Sequence, residues 1–304
     1  MRGETPLKNV FISGCGDIGA RVAAIWQGKA AQVSALARNK DSESRMKSLN
    51  INPIKGDLDD GNSLQGLSLA NTVLYHFAPP PTTGITDPRL MALLYAVQSP
   101  DRLPSKIILI STSAVYGDCQ GQWIDESAKV EPSTDRGKRR LHAEQTLINW
   151  SQHTHVPYVI LRVPGIYGPN RLPIERIKSG APILKETQSP FTNRIHADDL
   201  AAICVAAAEM SPANSLYNVS DGHPGTMSQY FKAIATAYHL PQPPEIDMAE
   251  AQKVMSPGML SYLKESRRIK NDKLLGELHI TLRYANLAAG LKQIISDTHN
   301  LDSA

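Results

Sequence analysis

The sequence predicts an α/β protein with a doubly wound parallel sheet, and three observations support this. Short β-branched runs alternate with helical patterns through the first half of the 304-residue chain, which predicts parallel strands with helices on both faces. A glycine-rich turn follows the first of these runs. The chain is 41% hydrophobic, enough for a large core in one globular unit with a smaller appendage.

Six runs in the first half have the composition of buried strands: NVFISG, AQVSALA, NINPIKG, NTVLYHFA, KIILISTS and PYVILRV. Pro and Gly then become frequent, after which RIHADDLAAICVAAAEM predicts a helix, SLYNVSDG a strand, and the remainder three short helices. We therefore expect a first domain over residues 1–165, to which 193–240 returns. Residues 166–192 and 241–304 are expected to form a smaller, interleaved C-terminal substrate-binding region.

The first predicted strand ends in G-x-G-x-x-G, the pattern of a dinucleotide-binding, Rossmann-type fold. Gly14 permits the tight turn, Gly16 leaves space for a pyrophosphate, and Gly19 allows close packing of helix on strand. The amino terminus of the following helix presents N–H groups to the anion. We expect the whole loop to bind the cofactor: Gly14, Cys15, Gly16, Asp17, Ile18 and Gly19.

Arg38 stands near the end of the second predicted strand, where an acidic residue would favour NAD. A cation there suits a 2′-phosphate, with Arg21 and Lys40 as possible helpers, so NADP(H) is preferred and NAD(H) remains an alternative. An exposed loop arginine without a ligand is the competing interpretation.

Charge and cysteine content exclude several classes of function. The net charge is +3 and the basic residues are scattered, which is atypical of nucleic-acid binding. The amino terminus lacks the apolar run of a signal peptide or anchor, so we expect a cytoplasmic protein without a membrane partner. Three widely spaced cysteines indicate neither a disulfide framework nor a metal site.

Six further segments occur in a characteristic order: IKGDLDD, LYHFAPP, STSAVYGD, LRVPGIYGP, NRIHADDL and LYNVSDG. With the glycine loop, they resemble the extended short-chain dehydrogenase/reductases, the NAD-dependent epimerase/dehydratase family, over most of the chain. The resemblance implies that Thr112 occupies the catalytic Ser/Thr position. It also implies cofactor contacts from Asp57, Leu58, Ala78, Pro79, Pro80, Thr112 and Pro164.

The stretch PSTDRGKRRLHAEQTL departs from the family pattern Y-G-x-x-K-x-x-x-E. Aligned on Gly137 and Glu144, Arg136 takes the tyrosine position and Arg140 the lysine position. Arginine cannot act as a base because its guanidinium stays protonated in proteins. Loss of positioned acid–base catalysis lowers a rate by about 10²–10⁴, so the family's ordinary mechanism is not expected.

Two interpretations of these arginines remain open. Arg136 and Arg140 lie one helical turn apart, so they could converge on an anionic substrate or a developing oxyanion, and Arg140 could hold the nicotinamide ribose. Alternatively, Arg136, Lys138, Arg139 and Arg140 form a solvated face after catalysis was lost. A cation at a helix amino terminus lowers the stability of the helix by only about 0.3–1 kcal/mol, so such a face is tolerated without a function.

The resemblance implies an NAD(P)-binding protein, an oxidoreductase or sugar-nucleotide-modifying enzyme with an altered catalytic site. The alternative is a non-catalytic NADP(H)-binding or redox-sensing protein that acts through a partner. We expect a small-molecule substrate, anionic in the first interpretation of the arginines. The helical core after the fourth strand, DPRLMALLYAVQ, is short for the family's dimer interface, so monomer and homodimer both remain open.

Overall fold

The computed structural model describes residues 9–302, with side chains to residue 297. Residues 1–8 and 303–304, the outer ends of the predicted regions, lie outside the described residues. The strands, numbered along the chain, are β1 (Asn9–Ser13), β2 (Gln32–Ala37), β3 (Asn52–Lys55), β4 (Val73–His76), β5 (Lys106–Thr112), β6 (Trp123–Ile124), β7 (Tyr158–Val163), β8 (Gly165–Tyr167), β9 (Ile183–Leu184), β10 (Phe191–Thr192), β11 (Arg194–His196), β12 (Ser215–Asn218), β13 (Gly225–Thr226), β14 (Glu245–Ile246) and β15 (Arg268–Ile269). The helices are α1 (Asp17–Gly28), α2 (Lys40–Ser48), α3 (Pro88–Ala96), α4 (Asp135–Thr154), α5 (Ile174–Lys178), α6 (Ala197–Met210), α7 (Met227–Ala237), α8 (Met248–Val254), α9 (Pro257–Leu263), α10 (Asp272–Leu278) and α11 (Leu287–Asp302).

Seven parallel strands form the central sheet in the order β12-β7-β5-β4-β1-β2-β3, which confirms the predicted Rossmann-type α/β fold. The direction in which successive strands are added reverses between β1 and β4. Ligands of open α/β sheets bind in the crevice at the carboxyl ends of the strands that meet at such a point. The loops after β1 and β4 therefore border the expected cofactor site.

The sheet is covered on both faces because neighbouring residues of a strand point to opposite sides. In β1, Val10 and Ile12 join the hydrophobic cluster that contains residues of α1 and α6, whereas Phe11 joins the cluster that contains residues of α3 and α4. This alternation is the packing expected of a doubly wound sheet.

The described residues after β12, up to residue 302, form five helices rather than the three predicted. Two of them, α8 and α9, are separated by only two residues, because Ser256 caps a new helix whose first residue is Pro257. Short strand pairs, β6 with β15, β9 with β14 and β10 with β13, tie these segments to the middle of the chain. The division into two interleaved regions stays a prediction.

Candidate active site

The glycine loop has the geometry that the three glycines predict. Gly14 has φ of +93°, and a Cβ there would lie 2.3 Å from the backbone nitrogen of Ala78. A Cβ on Gly19 would lie 3.2 Å from the carbonyl oxygen of Gly14, whereas one on Gly16 would meet no atom within 4 Å. Gly16 therefore faces open space. No side chain caps α1, whose N-cap is Gly16, so the loop fits the pyrophosphate of a dinucleotide.

The loops after β1 and β4 are held together by the carbonyl oxygen of Ser13. It accepts hydrogen bonds from the backbone N–H groups of Phe77, at 2.7 Å, and Ala78, at 3.0 Å. The close approach of Gly14 to Ala78 follows from this junction, because a side chain at position 14 would separate the two loops.

Asp17, in the first turn of α1, forms ion pairs with two arginines. Its carboxylate lies 2.9 Å from Nε of Arg21 and 2.6 Å from Nε of Arg171. Burial alone would raise the pKa of Asp17, but hydrogen bonds and charges from Arg171 and Arg21 lower it. Arg21 also pairs with Asp198, so its guanidinium is engaged by two carboxylates.

The end of β2 carries exposed cations, and their assignment to a 2′-phosphate stays a prediction. Arg38 and Lys40 are exposed, and Asn39 between them caps α2. Arg45 was not predicted: its Nη1 donates to the carbonyl oxygen of Cys15 at 3.2 Å. A cation from α2 therefore lies directly beside the glycine loop.

The cofactor contacts predicted after β3 and β4 lie at the same edge of the sheet: Asp57 and Leu58, predicted on the adenine side, and Ala78, Pro79 and Pro80, predicted beside the cofactor. Arg89 joins the two loops, a contact that the sequence did not predict. Its guanidinium binds both carboxylate oxygens of Asp59, at 2.7 and 2.6 Å, and the carbonyl oxygen of Pro79 at 2.9 Å. Through these contacts Arg89 holds the loop after β3 against the loop after β4, which stabilises the crevice that the two loops border.

A cavity of about 380 Å³, here called the reaction cavity, opens at the carboxyl end of β5. Three predicted site residues line it together: Thr112, Arg136 and Pro164. Thr112 Oγ1 accepts a hydrogen bond from the backbone N–H of Ala114 at 3.3 Å, which orients the hydroxyl at the strand end. Six charged or aromatic residues that the sequence did not single out also line it: Arg171, Phe191, Arg194, Tyr262, Glu265 and Arg267.

Arg136 stacks on a phenol. Its guanidinium carbon lies 3.9 Å from the centre of the Tyr262 ring, and both side chains line the reaction cavity. Tyr262 belongs to α9, more than a hundred residues further along the chain, so neighbouring sequence contains no signal for the contact. The tyrosine position of α4 thus presents a cation held by an aromatic ring.

The convergence of Arg140 with Arg136 on one anion stays a prediction. Arg140 is absent from the lining of the reaction cavity, and burial lowers its pKa while the charge of Asp87 opposes that change. It lies close enough to the fully buried His76 to act on that side chain. Burial first, and then the charges of Arg140 and Arg89, lower the pKa of His76 to about 3. Arg140 therefore lies outside the group of side chains that line the reaction cavity.

Charge in the reaction cavity is unevenly compensated. Arg267 lies 3.0 Å from Glu265, and Arg171 is paired with Asp17. Within residues 9–297, no carboxylate oxygen lies within 4 Å of the guanidinium nitrogens of Arg136 or Arg194. Two cations consequently face the cavity without an ion-pair partner.

Helix α4 is anchored by the glutamate of its motif. Glu144, 2% exposed, lies 2.7 Å from Nη2 of Arg162 on β7 and also accepts a hydrogen bond from Ser111 on β5. The Arg162 guanidinium lies 4.7 Å from the centre of the Tyr116 ring. These contacts hold α4 against the sheet and so fix where Arg136 enters the cavity.

Two other kinds of feature are absent from the described part of the chain. No helix between residues 9 and 302 is long and apolar enough to cross a membrane. Within the same range, no three His, Cys, Asp or Glu side chains are grouped so that they could hold a metal ion.

Residues 10–220 match the model of the NAD dependent epimerase/dehydratase family. A functionally unknown conserved protein from Silicibacter pomeroyi has a similar structure, with a TM-score of 0.83, 27% identity, and coverage of 95% of this chain and 99% of that one. No curated protein matches the chain.

Two named epimerases share the fold. UDP-glucose 4-epimerase from Thermotoga maritima, solved with UDP-glucose, has a TM-score of 0.76 at 17% identity and covers 96% of this chain and 99% of its own. UDP-N-acetylglucosamine 4-epimerase from Methanobrevibacter ruminantium, in complex with UDP-N-acetylmuramic acid, has a TM-score of 0.71 at 19% identity and covers 95% and 99%.

Proposed function

The chain belongs to the NAD dependent epimerase/dehydratase family, and from this premise we propose that it is a nicotinamide-dependent enzyme acting on an anionic small molecule. One observation carries the proposal. The reaction cavity combines Thr112 and Pro164, at the family's catalytic and nicotinamide-side positions, with two arginines that have no carboxylate partner.

The cofactor would lie across the loops after β1, β2, β3 and β4. The glycine loop would hold its pyrophosphate, and Asp57, Leu58 and Ala78 its adenine side. Arg38, supported by Arg45, would favour a 2′-phosphate, so we propose NADP(H) as the preferred form. When bound, the nicotinamide supplies hydride donation or acceptance.

The protein's own residues would bind and polarise the substrate rather than exchange a proton with it. Arg136 stays protonated, so it can stabilise a carboxylate, a phosphate or a developing oxyanion but cannot remove a proton. The Thr112 hydroxyl, placed at the end of β5, can orient a carbonyl oxygen. Arg140, which does not line the reaction cavity, would position α4 rather than touch the substrate.

Titration calorimetry with NADPH and NADH tests the cofactor assignment, and we expect NADPH to bind more tightly. A turnover screen with carboxylated and phosphorylated carbonyl compounds and with UDP-glucose, following nicotinamide absorbance, then tests catalysis. Arg136→Met should abolish any turnover that is found. Lys138→Met, an exposed cation in the same first turn of α4, should not.

The screen also separates the enzyme from a non-catalytic NADP(H)-binding protein. Tight NADPH binding without turnover of any compound, together with no thermal stabilisation by anionic ligands, would favour the non-catalytic alternative. Failure of both cofactors to bind would remove the proposal altogether.

A further inference from the structure

A second and larger cavity adjoins the reaction cavity. It has a volume of about 760 Å³, lies between α7 and α11, and most of its lining surface is apolar. We call it the apolar cavity. The two cavities share Thr192 and Arg194 in their walls, so a ligand that reaches Arg194 can extend into either.

Two helical faces make this cavity hollow and apolar. On α7, Ala233 and Ala237 are four residues apart and both line it, so small side chains occupy one wall. On α11, Ala288, Leu291 and Ile295 recur at the spacing of a single helical face.

The position of α11 is fixed by close packing near its start. A Cβ on Gly290 would lie 2.4 Å from the hydroxyl of Tyr167, whose hydroxyl also donates to the carbonyl oxygen of Asn286 at 3.2 Å. Because glycine allows this approach, the first turn of α11 is held against β8, and the gap to the α7 alanines is part of the packed fold.

Most polar side chains around the apolar cavity are already paired within the protein. Thr192 Oγ1 donates to the carbonyl oxygen of Gly225 at 3.2 Å. Thr226 and Gln229 form a reciprocal capping box at the start of α7, and Gln229 also donates to Glu186. These groups have little capacity for a polar ligand, so the walls favour an apolar one.

Two cations also line the apolar cavity: Lys292, which is exposed, and Arg194, which is half-buried. The guanidinium of Arg194 stacks at 3.8 Å on the Tyr230 ring, and its hydrogen bonds are long, 3.4 Å to the carbonyl oxygen of Asn193 and 3.7 Å to the Met227 sulfur. Five guanidinium donors share these two weak contacts, and no carboxylate among the described residues pairs with it. Arg194 is therefore a half-buried cation that lines the apolar cavity and still has N–H groups available to donate hydrogen bonds to a ligand.

We propose that the substrate is an amphipathic anion whose carboxylate or phosphate binds Arg194 and whose apolar body fills the apolar cavity. This inference rests on the proposed function, because it names the substrate class of the same reaction site. The volume lies within the range of about 300–1,000 Å³ typical of small-molecule sites. Nucleotide sugars, whose bodies are polar, would gain little from these walls.

Sodium decanoate is the probe, measured by titration calorimetry and by displacement of anilinonaphthalene sulfonate fluorescence. We expect decanoate to bind the wild-type protein and to bind at least about tenfold more weakly to Arg194→Met, which keeps the side-chain length and removes the charge. Decan-1-ol, which lacks the anion, should bind similarly to both proteins.

Two wall variants and one control make the test specific. Ala233→Leu and Ala233→Trp place larger side chains in the apolar cavity, and the tryptophan should weaken decanoate binding more than the leucine. If the tryptophan variant misfolds, the leucine variant alone provides the test. Arg102→Met, which removes a cation from a surface hollow beside α3, should bind decanoate as the wild type does. Equal decanoate affinity in wild type, Arg194→Met and Ala233→Leu would overturn the inference.

NADPH titration of the same variants separates the two proposals. Ala233→Leu should keep wild-type NADPH affinity, because Ala233 lines the apolar cavity and not the reaction cavity. If NADPH binds but decanoate does not, only the amphipathic substrate class is overturned. If the wild type binds no nicotinamide cofactor, the proposed function fails, and the assignment of the apolar cavity as a substrate site fails with it.

Discussion

Arg162, which anchors α4, and the two arginines of the reaction cavity, Arg136 and Arg194, have different surroundings. Arg162 is 5% exposed and is bound by Glu144, Ser111 holds the same carboxylate, and Tyr116 covers the guanidinium. Arg136 and Arg194, in contrast, rest on aromatic rings and have no carboxylate partner among the described residues.

The difference distinguishes a charge that holds the fold from one that is available to a ligand. A buried ion pair whose polar atoms are all satisfied fixes an element in place, and removing one partner leaves an uncompensated buried charge. A cation stacked on a ring keeps its donors in the ring plane free for an anion. The four predictions below test this contrast, beginning with the largest expected effect.

Glu144→Ala should lower the free energy of unfolding by about 3–5 kcal/mol, because it leaves the Arg162 charge buried without a partner. Urea denaturation at neutral pH measures the change. Glu43→Ala removes an exposed carboxylate paired with Lys47 and should have no measurable effect.

A double variant, Glu144→Gln with Arg162→Met, should recover part of the lost stability because neither charge then remains buried. If Glu144→Ala and Glu43→Ala were equally stable, the buried pair would not anchor α4 and the contrast would not hold.

Asp221→Asn tests whether Arg194 lacks a close counter-ion. Burial raises the pKa of Asp221 to about 6, and the backbone N–H of His223 and the charges of His223 and Arg194 reduce this only in part. Because the pKa of Asp221 is raised by folding, the carboxyl group binds its proton more tightly in the folded protein than in the unfolded chain. Stability is therefore fully present below the unfolded value of 3.8 and falls as pH rises through about 6.

At about pH 8 the asparagine variant should consequently be more stable than the wild type by up to roughly 3 kcal/mol, with no charge-related gain at about pH 3. Urea denaturation at the two pH values measures the difference. If Asp221 is instead ionised and paired in the folded protein, with Arg194 as the most direct partner, the asparagine variant should be less stable than the wild type at about pH 8, and this deficit should shrink at about pH 3. A difference that does not change with pH would mean that folding does not shift the pKa of Asp221.

The sheet and the glycine loop could be predicted from the sequence because their signals are local. Strand composition, the spacing of Gly14, Gly16 and Gly19, and the motifs after β3, β4 and β5 each occupy a few consecutive residues. Positions required by backbone conformation, such as Gly14 with its positive φ, are visible in the sequence because one residue type satisfies them.

The reaction cavity could be predicted only in part. Thr112, Arg136 and Pro164 were found through family motifs, whereas Tyr262 and Arg194 belong to segments that tertiary packing brings to them. The convergence of Arg136 with Arg140 was inferred from helical spacing. That spacing places Cβ atoms on one face but does not say which of the two side chains lines the reaction cavity, and in the structure only Arg136 does.

Gly14→Ala and Gly16→Ala compare a glycine needed for folding with one needed for a ligand. Gly14→Ala should cost about 1–3 kcal/mol of stability, because an alanine would be strained at φ of +93° and would meet Ala78. Gly16→Ala should stay within about 1 kcal/mol of the wild type yet lose NADPH binding. Thermal unfolding and titration calorimetry measure both; wild-type NADPH affinity in Gly16→Ala would show that the loop is not the dinucleotide site.

Arg38→Asp should have the smallest effect, because Arg38 is exposed and solvent weakens its interaction with a phosphate. We expect NADPH affinity to fall about tenfold, equivalent to ~1.4 kcal/mol, and the order of NADPH and NADH to reverse. Lys129→Asp makes the same change of charge on another exposed loop, so it separates a local contact from a general loss of positive potential.

Arg45→Met is the complementary variant, because Arg45 donates to the carbonyl oxygen of Cys15 in the glycine loop. Its loss should weaken the binding of NADPH and NADH alike if Arg45 supports the loop, and of NADPH alone if Arg45 binds the 2′-phosphate. Unchanged NADPH affinity and unchanged cofactor preference in both Arg38→Asp and Arg45→Met would mean that these cations after β2 face solvent and do not bind the cofactor.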